Sequence, residues 1–323
     1  MKKNRLFLTL QASVMLAATA GLNVACTSND EETAANLPAE IQLFTEIAGQ
    51  TRAANSAADL QDTLFKNGTM IGVFMGESSA DDFSDYTWHT YTCDGEGGLT
   101  TNGTVRFPTS GSSMEIYAVH PLSAQSYPDR ITSHTDKDFN VRADQSSTEN
   151  YLESDLMFAE LNGVKASSSV TERTLKFNHL LSKIIVKLQK GAGISDDEIN
   201  SATITLGNDD MVIGGTFVIE VGSFEADPDG TGDATYTIAT NAGTTEHAAI
   251  VVPQSVSGKK INVTIGGNTS SYTIPTGTRF EAGKKYTFTF TLTQSPELKI
   301  TSTSITDWGT TAGWTDPNAT IMF

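Results

Sequence analysis

Seven stretches in the second half of the chain repeat one pattern: "GGTFVIEV", "ATYTIAT", "EHAAIVVPQ", "KKINVTIGG", "SSYTIPT", "KKYTFTFTLT" and "ELKITSTSITDW". Each is rich in Val, Ile, Thr, Tyr or Phe, and Gly, Asn, Asp or Pro interrupts the series. Residues of this kind at this spacing make short strands joined by turns. No strand–helix–strand alternation accompanies them, which argues against a parallel α/β sheet. The expectation is an all-β chain of sandwiches or barrels. With 323 residues, 38% of them apolar, there is enough chain for two packed domains.

The first half follows the same grammar more loosely. Residues 37–50, "LPAEIQLFTEIAGQ", alternate at Ile41, Leu43, Thr45 and Ile47, the period of a half-buried strand. "TMIGVFM" reads as a buried strand, and "YTWHTYTCD", "VRFP" and "SMEIYAVHPL" as three more. Residues 123–170 are loop-rich, with "ESDLMFAEL" the clearest ordered piece. Gly, Ser and charge accumulate in "NGVKASSSVTER", which places a domain boundary at residue 170. "TLKFNHLLSKIIVKLQK" then reads as one long strand, because Ile184, Ile185 and Val186 favour extended chain. "GISDDEINSATITL" predicts a short helix with Ser195 as N-cap and Glu198 three residues on, feeding another strand.

The N-terminus reads as an export signal. Lys2, Lys3 and Arg5 precede an apolar, small-residue run that is too short and too interrupted for a comfortable membrane span. The run ends in "LNVAC", similar to a bacterial lipoprotein box with Cys26 as the lipidated residue. Residues 1–25 are then the signal peptide and residues 26–36 an acidic, flexible tether. With Cys26 lipidated, Cys93 has no intrachain partner and is expected as a small buried residue in or beside a strand. The formal net charge is −17, and loss of the leader takes it to −20. Such a surface repels phosphate backbones, so nucleic acid is not expected as a partner.

Chemistry is sparse. None of His89, His120, His134, His179 and His247 has a second His at metal-ligand spacing, and no H-E-x-x-H occurs. No G-x-S-x-G and no phosphate-binding glycine loop is present. No catalytic, metal or cofactor-binding residue is therefore assigned, and no enzyme is expected. His120 and His179 are read as structural. In "DPDGTGD", Asp227, Asp229 and Asp233 resemble the start of a calcium loop. Ile238 stands where the closing acid belongs, so the segment is read as a hairpin loop. Asp81, Asp82 and Asp85 are read as a solvated acidic loop.

Two features remain. Arg52 is the first cation after Arg5, set in small turn-prone residues just after the first strand. "ATIMF", at residues 319–323, puts Ala319, Ile321 and Phe323 on one face of a strand that needs a groove.

The ordered set of leader with Cys26, first strand followed by "TRA", "IGVFM", "IYAVHPL", "DLMFAE", "LKFNHLLSKIIVKL", "AAIVVPQ", "FEAGKKYTFTFTL" and "ITDW" resembles the fimbrillins. These are the lipoprotein pilin precursors of Bacteroidales-type (type V) pili. One departure is local: members usually carry a Trp and a Gly-Asp pair before "IGVFM", where this chain has "FKNGTM".

The resemblance implies two tandem transthyretin-like β-sandwich domains with minor helical turns, here residues 37–170 and 171–323. It implies a precursor held at the outer membrane by lipid on Cys26, then a cell-surface fimbrium. A processing protease would cut between Arg52 and Ala53. A donor strand at residues 318–323, through Ala319, Ile321 and Phe323, would fill the groove of the next subunit. Implied partners are other copies of the chain, related pilus subunits and a host or bacterial surface receptor. The competing reading is a non-polymerising anchor, tip or glycan-binding adhesin, with Trp88, Tyr91, Trp308 and Trp314 as candidate platform residues.

Overall fold

The computed structural model describes residues 38–48, 64–79, 85–122, 137–227, 234–240, 245–293 and 299–308. In chain order the strands are β1 (Phe44–Ile47), β2 (Met70–Glu77), β3 (Thr87–Cys93), β4 (Leu99–Thr101), β5 (Met114–His120), β6 (Lys137–Asn140), β7 (Met157–Val164), β8 (Thr174–His179), β9 (Ser182–Lys190) and β10 (Thr203–Met211). They continue with β11 (Gly214–Val218), β12 (Ser223–Ala226), β13 (Ala234–Thr237), β14 (Ala239–Thr240), β15 (Glu246–Val251), β16 (Lys260–Ile265), β17 (Asn268–Thr273), β18 (Lys284–Leu292) and β19 (Lys299–Asp307). Two short helices, α1 (Thr148–Glu153) and α2 (Asp196–Asn200), interrupt them. The fold is all-β, as the turn-punctuated pattern predicts.

Four sheets result. The first has the order β1-β8-β7-β5-β2-β3-β4, and the second β14-β15-β9-β18-β19. Two smaller ones follow, β13-β10-β16-β17 and β12-β11-β6.

Side-chain alternation explains how the first sheet is used. Ile71, Val73 and Met75 of β2, Met114, Ile116 and Ala118 of β5, and Met157 and Ala159 of β7 point into one hydrophobic cluster. Their neighbours Phe74, Val119 and Phe158 belong to a second cluster, shared with β9, β10, β15, β16 and β18. Period 2 sends alternate residues to opposite faces, and here both faces are covered. That is why "MIGVFM" is apolar without a gap. Its glycine has a purpose too. A Cβ on Gly72 would lie 1.7 Å from the Trp88 ring, so this position must be bare for the indole to pack over β2.

The structure corrects several local expectations. The long strand at 174–190 is two strands broken at Leu180 and Leu181, and its halves belong to different sheets. "VRFP" forms no strand, only a bridge from Arg106 to Glu40. The strands flanking the acidic segment at 227–233 do not pair with each other as a hairpin would require: β12 pairs with β11 and β13 with β10, in another sheet. The loop-rich stretch holds α1, capped by the Ser147 side chain accepting from Asn150 N. The predicted helix at Ser195 is present with its capping box complete.

Sheet bonding crosses residue 170 in both directions. β8 pairs with β1 and β7, and β6 pairs with β11.

Candidate functional site: the seat of the first strand

Residues 38–48 follow the predicted alternation. Ile41, Leu43, Thr45 and Ile47 are buried, while Gln42 and Glu46 are exposed. Ile41, Leu43 and Ile47 join the first cluster, beside Phe65, Tyr91, Cys93, Phe107, Leu175 and Phe177.

This segment is hydrogen-bonded along both edges. On one side β1 runs parallel to β8, from Phe44 opposite Thr174 to Ile47 opposite Phe177. Ala48 N donates to Phe177 O at 2.8 Å. On the other side it runs antiparallel to residues 97–107, through bridges from Glu40 to Arg106 and from Phe44 to Gly98. There Ile41 N donates to Val105 O at 2.8 Å and Thr45 N to Gly97 O at 2.7 Å. Phe107 N donates to Ala39 O at 3.0 Å, and Leu99 N to Leu43 O at 3.2 Å. The segment therefore links β8, at one end of the first sheet, to the β4 side at the other.

Three cations lie along it. Arg106 Nη1 donates to Pro38 O at 2.8 Å and Arg173 Nη1 to Gln42 O at 3.4 Å. Lys176 sits 3.4 Å from Glu46, an exposed pair worth little in water. The two arginines hold main-chain carbonyls, which any strand in that place would present.

The chemistry beneath the strand is inert. Burial, with the Asp94 charge adding to it, pushes the Cys93 thiol up to about 12, so it stays protonated at neutral pH. Burial and the nearby Glu40 carboxylate likewise push Tyr91 up to about 12. Cys93 is the small buried residue expected at the end of a strand. Thr45 is the odd member: it is 3% exposed, and its hydroxyl has no hydrogen-bond partner.

At the far end of β8, His179 Nδ1 lies 2.8 Å from Asp155 Oδ1. The Trp308 indole stacks on the His179 ring at 3.8 Å and 5°. The buried Lys183 ammonium sits 5.7 Å from the Trp308 ring and 5.9 Å from Tyr151. Trp308 N donates to Gly283 O at 2.6 Å. His179 thus has a structural place. His120 does too: burial pushes it down to about 4, and its ring packs 5.0 Å from that of Phe65.

Cys26, Arg52, Ala53, Ala319, Ile321 and Phe323 all lie outside the described residues, as do Asp81, Asp82, Asp229, Asp233, His134 and Trp314. Of the proposed glycan platform, Tyr91 and Trp308 are buried, and Trp88 is half-buried with its ring 4.7 Å from Phe74. No group of three or more His, Cys, Asp or Glu could hold a metal among the described residues. Reading the sequence alone missed Arg106, Arg173 and the second edge at 97–107. The only signal for that edge is its glycines, Gly97 and Gly98. At Gly97, with φ +101°, a Cβ would meet Thr45 O at 3.2 Å.

A family model described as fimbrillin-like matches residues 51–308. The chain belongs to the fimbrillin-like family. Family membership makes it a pilus-related structural subunit of the cell-surface fimbrium. Two crystal structures have a similar fold. One is a candidate cell adhesion protein from Bacteroides uniformis, 20% identical with a TM-score of 0.61, covering 83% of this chain and 99% of that one. The other is a candidate cell adhesion protein from Bacteroides ovatus, 19% identical with a TM-score of 0.63, covering 84% of this chain and 98% of that one. No curated protein matches the chain.

Proposed function

We propose that this fimbrillin-like chain is exported as a lipoprotein on Cys26, cut between Arg52 and Ala53, and polymerised by strand exchange. The observation that carries this reading is the seat of the first strand. Residues 39–48 are bonded on two edges and bury four side chains, and Arg52 follows four residues after Ala48.

Removing that segment has a definite cost. Val105 O, Gly97 O, Phe177 O, Leu99 N and Phe107 N would each lose a partner. Buried polar groups left unpaired cost about 1–3 kcal/mol each. The apolar floor from Phe107 to Phe177 would meet water. A strand from another copy reverses both losses, since main-chain bonds restore the ladders and alternate side chains refill the pockets. Each aliphatic or aromatic side chain buried contributes about 1.5–3 kcal/mol.

The donor we assign is residues 318–323, through Ala319, Ile321 and Phe323. Two tandem sandwich domains, 37–170 and 171–323, belong to the same proposal; what supports it is the division of the buried side chains into two clusters, with β8 carrying Leu175 and Phe177 across that boundary into the first. The partners in this reading are further copies of the chain, related pilus subunits, the outer membrane through the lipid, and the processing protease.

The test is the mature N-terminus. Mass spectrometry of surface fibres is expected to find Ala53 first, and Arg52→Ala to leave full-length, lipidated, unpolymerised chain. Fibres whose subunits all retain Cys26 would overturn the cleavage step.

A further inference from the structure

The seat of the first strand is graded in size, and that grading fixes how a replacement can lie. In chain order its pockets hold Ile41, Leu43, Thr45 and Ile47. Leu43 is the deepest aliphatic, at 1% exposure. Protein interiors are close-packed, so each pocket has roughly the volume of its present occupant. The Thr45 position is then the small one. It is also apolar, because the buried Thr45 hydroxyl finds no partner. An alanine there gives up no hydrogen bond and leaves no polar group unpaired. A phenylalanine there overpacks.

The inference rests on the exchange proposed above and concerns the tail of a second copy. Only one side of that tail, Ala319, Ile321 and Phe323, is apolar throughout. If the tail ran in the direction of the strand it replaces, every alignment misfits: with Ile321 at Ile41 and Phe323 at Leu43 the Thr45 and Ile47 subsites stay empty, and with Phe323 at Ile47 Ile321 overpacks Thr45 and Ala319 underfills the Leu43 pocket. Seating Ile321 at Leu43 drives Phe323 onto Thr45. Seating Ala319 at Thr45 puts Pro317 in the deep Leu43 pocket and Thr315 at Ile41, with Phe323 beyond Ile47. With the direction reversed, Ala319 falls on Thr45, Ile321 on Leu43 and Phe323 on Ile41. The Pro317–Asn318 turn then lies at the Ile47 end, where the chain leaves the seat.

We infer that the incoming strand runs antiparallel to the segment it displaces, with Ala319 in the small Thr45 subsite setting its register. It then lies antiparallel to β8 and parallel to residues 97–107. Arg106 and Arg173, which hold main-chain carbonyls of residues 38 and 42, meet carbonyls of the reversed strand instead.

Cross-linking in fibres tests this. Thr320 is next to Ala319 on the outer face, and in the reversed strand it takes the place of Phe44, opposite Thr174. In the unreversed strand with Ala319 at Thr45 it takes the place of Glu46, opposite Lys176. Oxidised fibres carrying T320C and T174C are expected to give a covalent ladder on a denaturing gel, and those carrying T320C and K176C none. The deeply buried Cys93 does not interfere.

Ala319→Leu is expected to lower fibre yield about tenfold or more, and Ala319→Ser to change it less than about twofold. A ladder only from T320C with K176C, in fibres that form normally, would overturn the direction and leave the exchange standing. Fibres that form normally with neither pair cross-linked would overturn the Ala319 register and with it this inference, and fibres assembled equally well by a chain lacking residues 318–323 would overturn the exchange as well.

Discussion

His247 is buried in β15, neither ring nitrogen has a partner, and burial pushes its pKa down to about 4. The folded chain holds this imidazole neutral, while the unfolded chain protonates it near its ordinary value of 6.5. Stability is therefore complete above about pH 6.5 and falls as the pH drops towards 4, because only the unfolded state gains the proton. For this one group the loss at pH 5 is about 2 kcal/mol. His120 acts in the same direction. Urea midpoints at pH 7.5 and pH 5 are expected to differ accordingly, and His247→Leu to remove part of the difference. If the variant kept the full slope, this assignment to His247 would fail. Nothing in the sequence separates His247 from the other four histidines. Its environment is built by β9 and β14, which pair with it from residues 186 and 240.

At the scale of elements, β1 is where local pattern and long-range pairing part company. Its buried face could be read directly, because alternation depends only on neighbours along the chain. Its two edges could not, since their partners lie 50 to 130 residues away at 97–107 and 174–177. The break between β8 and β9 escaped for a related reason. "TLKFNHLLSKIIVKLQK" has strand composition throughout, and only the separate pairings of its halves show two strands. The capped helix at Ser195 was legible because a capping box is local chemistry. A prediction follows at this scale. Leu43→Ala is expected to destabilise the uncut precursor by about 2–5 kcal/mol, the range for a buried leucine. It is expected to leave assembled fibres unchanged, because under the proposed cleavage their subunits no longer contain residue 43. Urea unfolding of the precursor and heat dissociation of fibres, compared side by side, make the check; weakened fibres would show that the segment is retained.

Across the molecule, the first sheet ties the two hydrophobic clusters together. Phe74, Val119 and Phe158 stand on the same strands as Ile71, Ile116 and Met157 but belong to the other cluster. Phe158, on β7 of the first sheet, packs with its ring 6.0 Å from that of Phe217 on β11, inside the second cluster. Unfolding of the described region is therefore expected to be one cooperative event. Thiol labelling of Cys93, in the first cluster, and Trp308 fluorescence, in the second, are expected to share one urea midpoint. Two separated midpoints would show that the clusters unfold independently. The all-β class was legible at this scale because turn residues punctuate the whole chain. The two-faced burial of the first sheet was visible only as the unbroken apolar run in β2.

The double-edged seating of residues 39–48 has a mechanical consequence. A strand held by ladders on both sides and pulled along its own length loads those bonds in shear, so they resist together rather than yielding in turn. With a neighbour's strand in the same seat, each joint of a fibre would carry tension in that way. A filament attached to a surface under flow would then hold without a covalent link between subunits, and its weakest direction would be peeling rather than stretching.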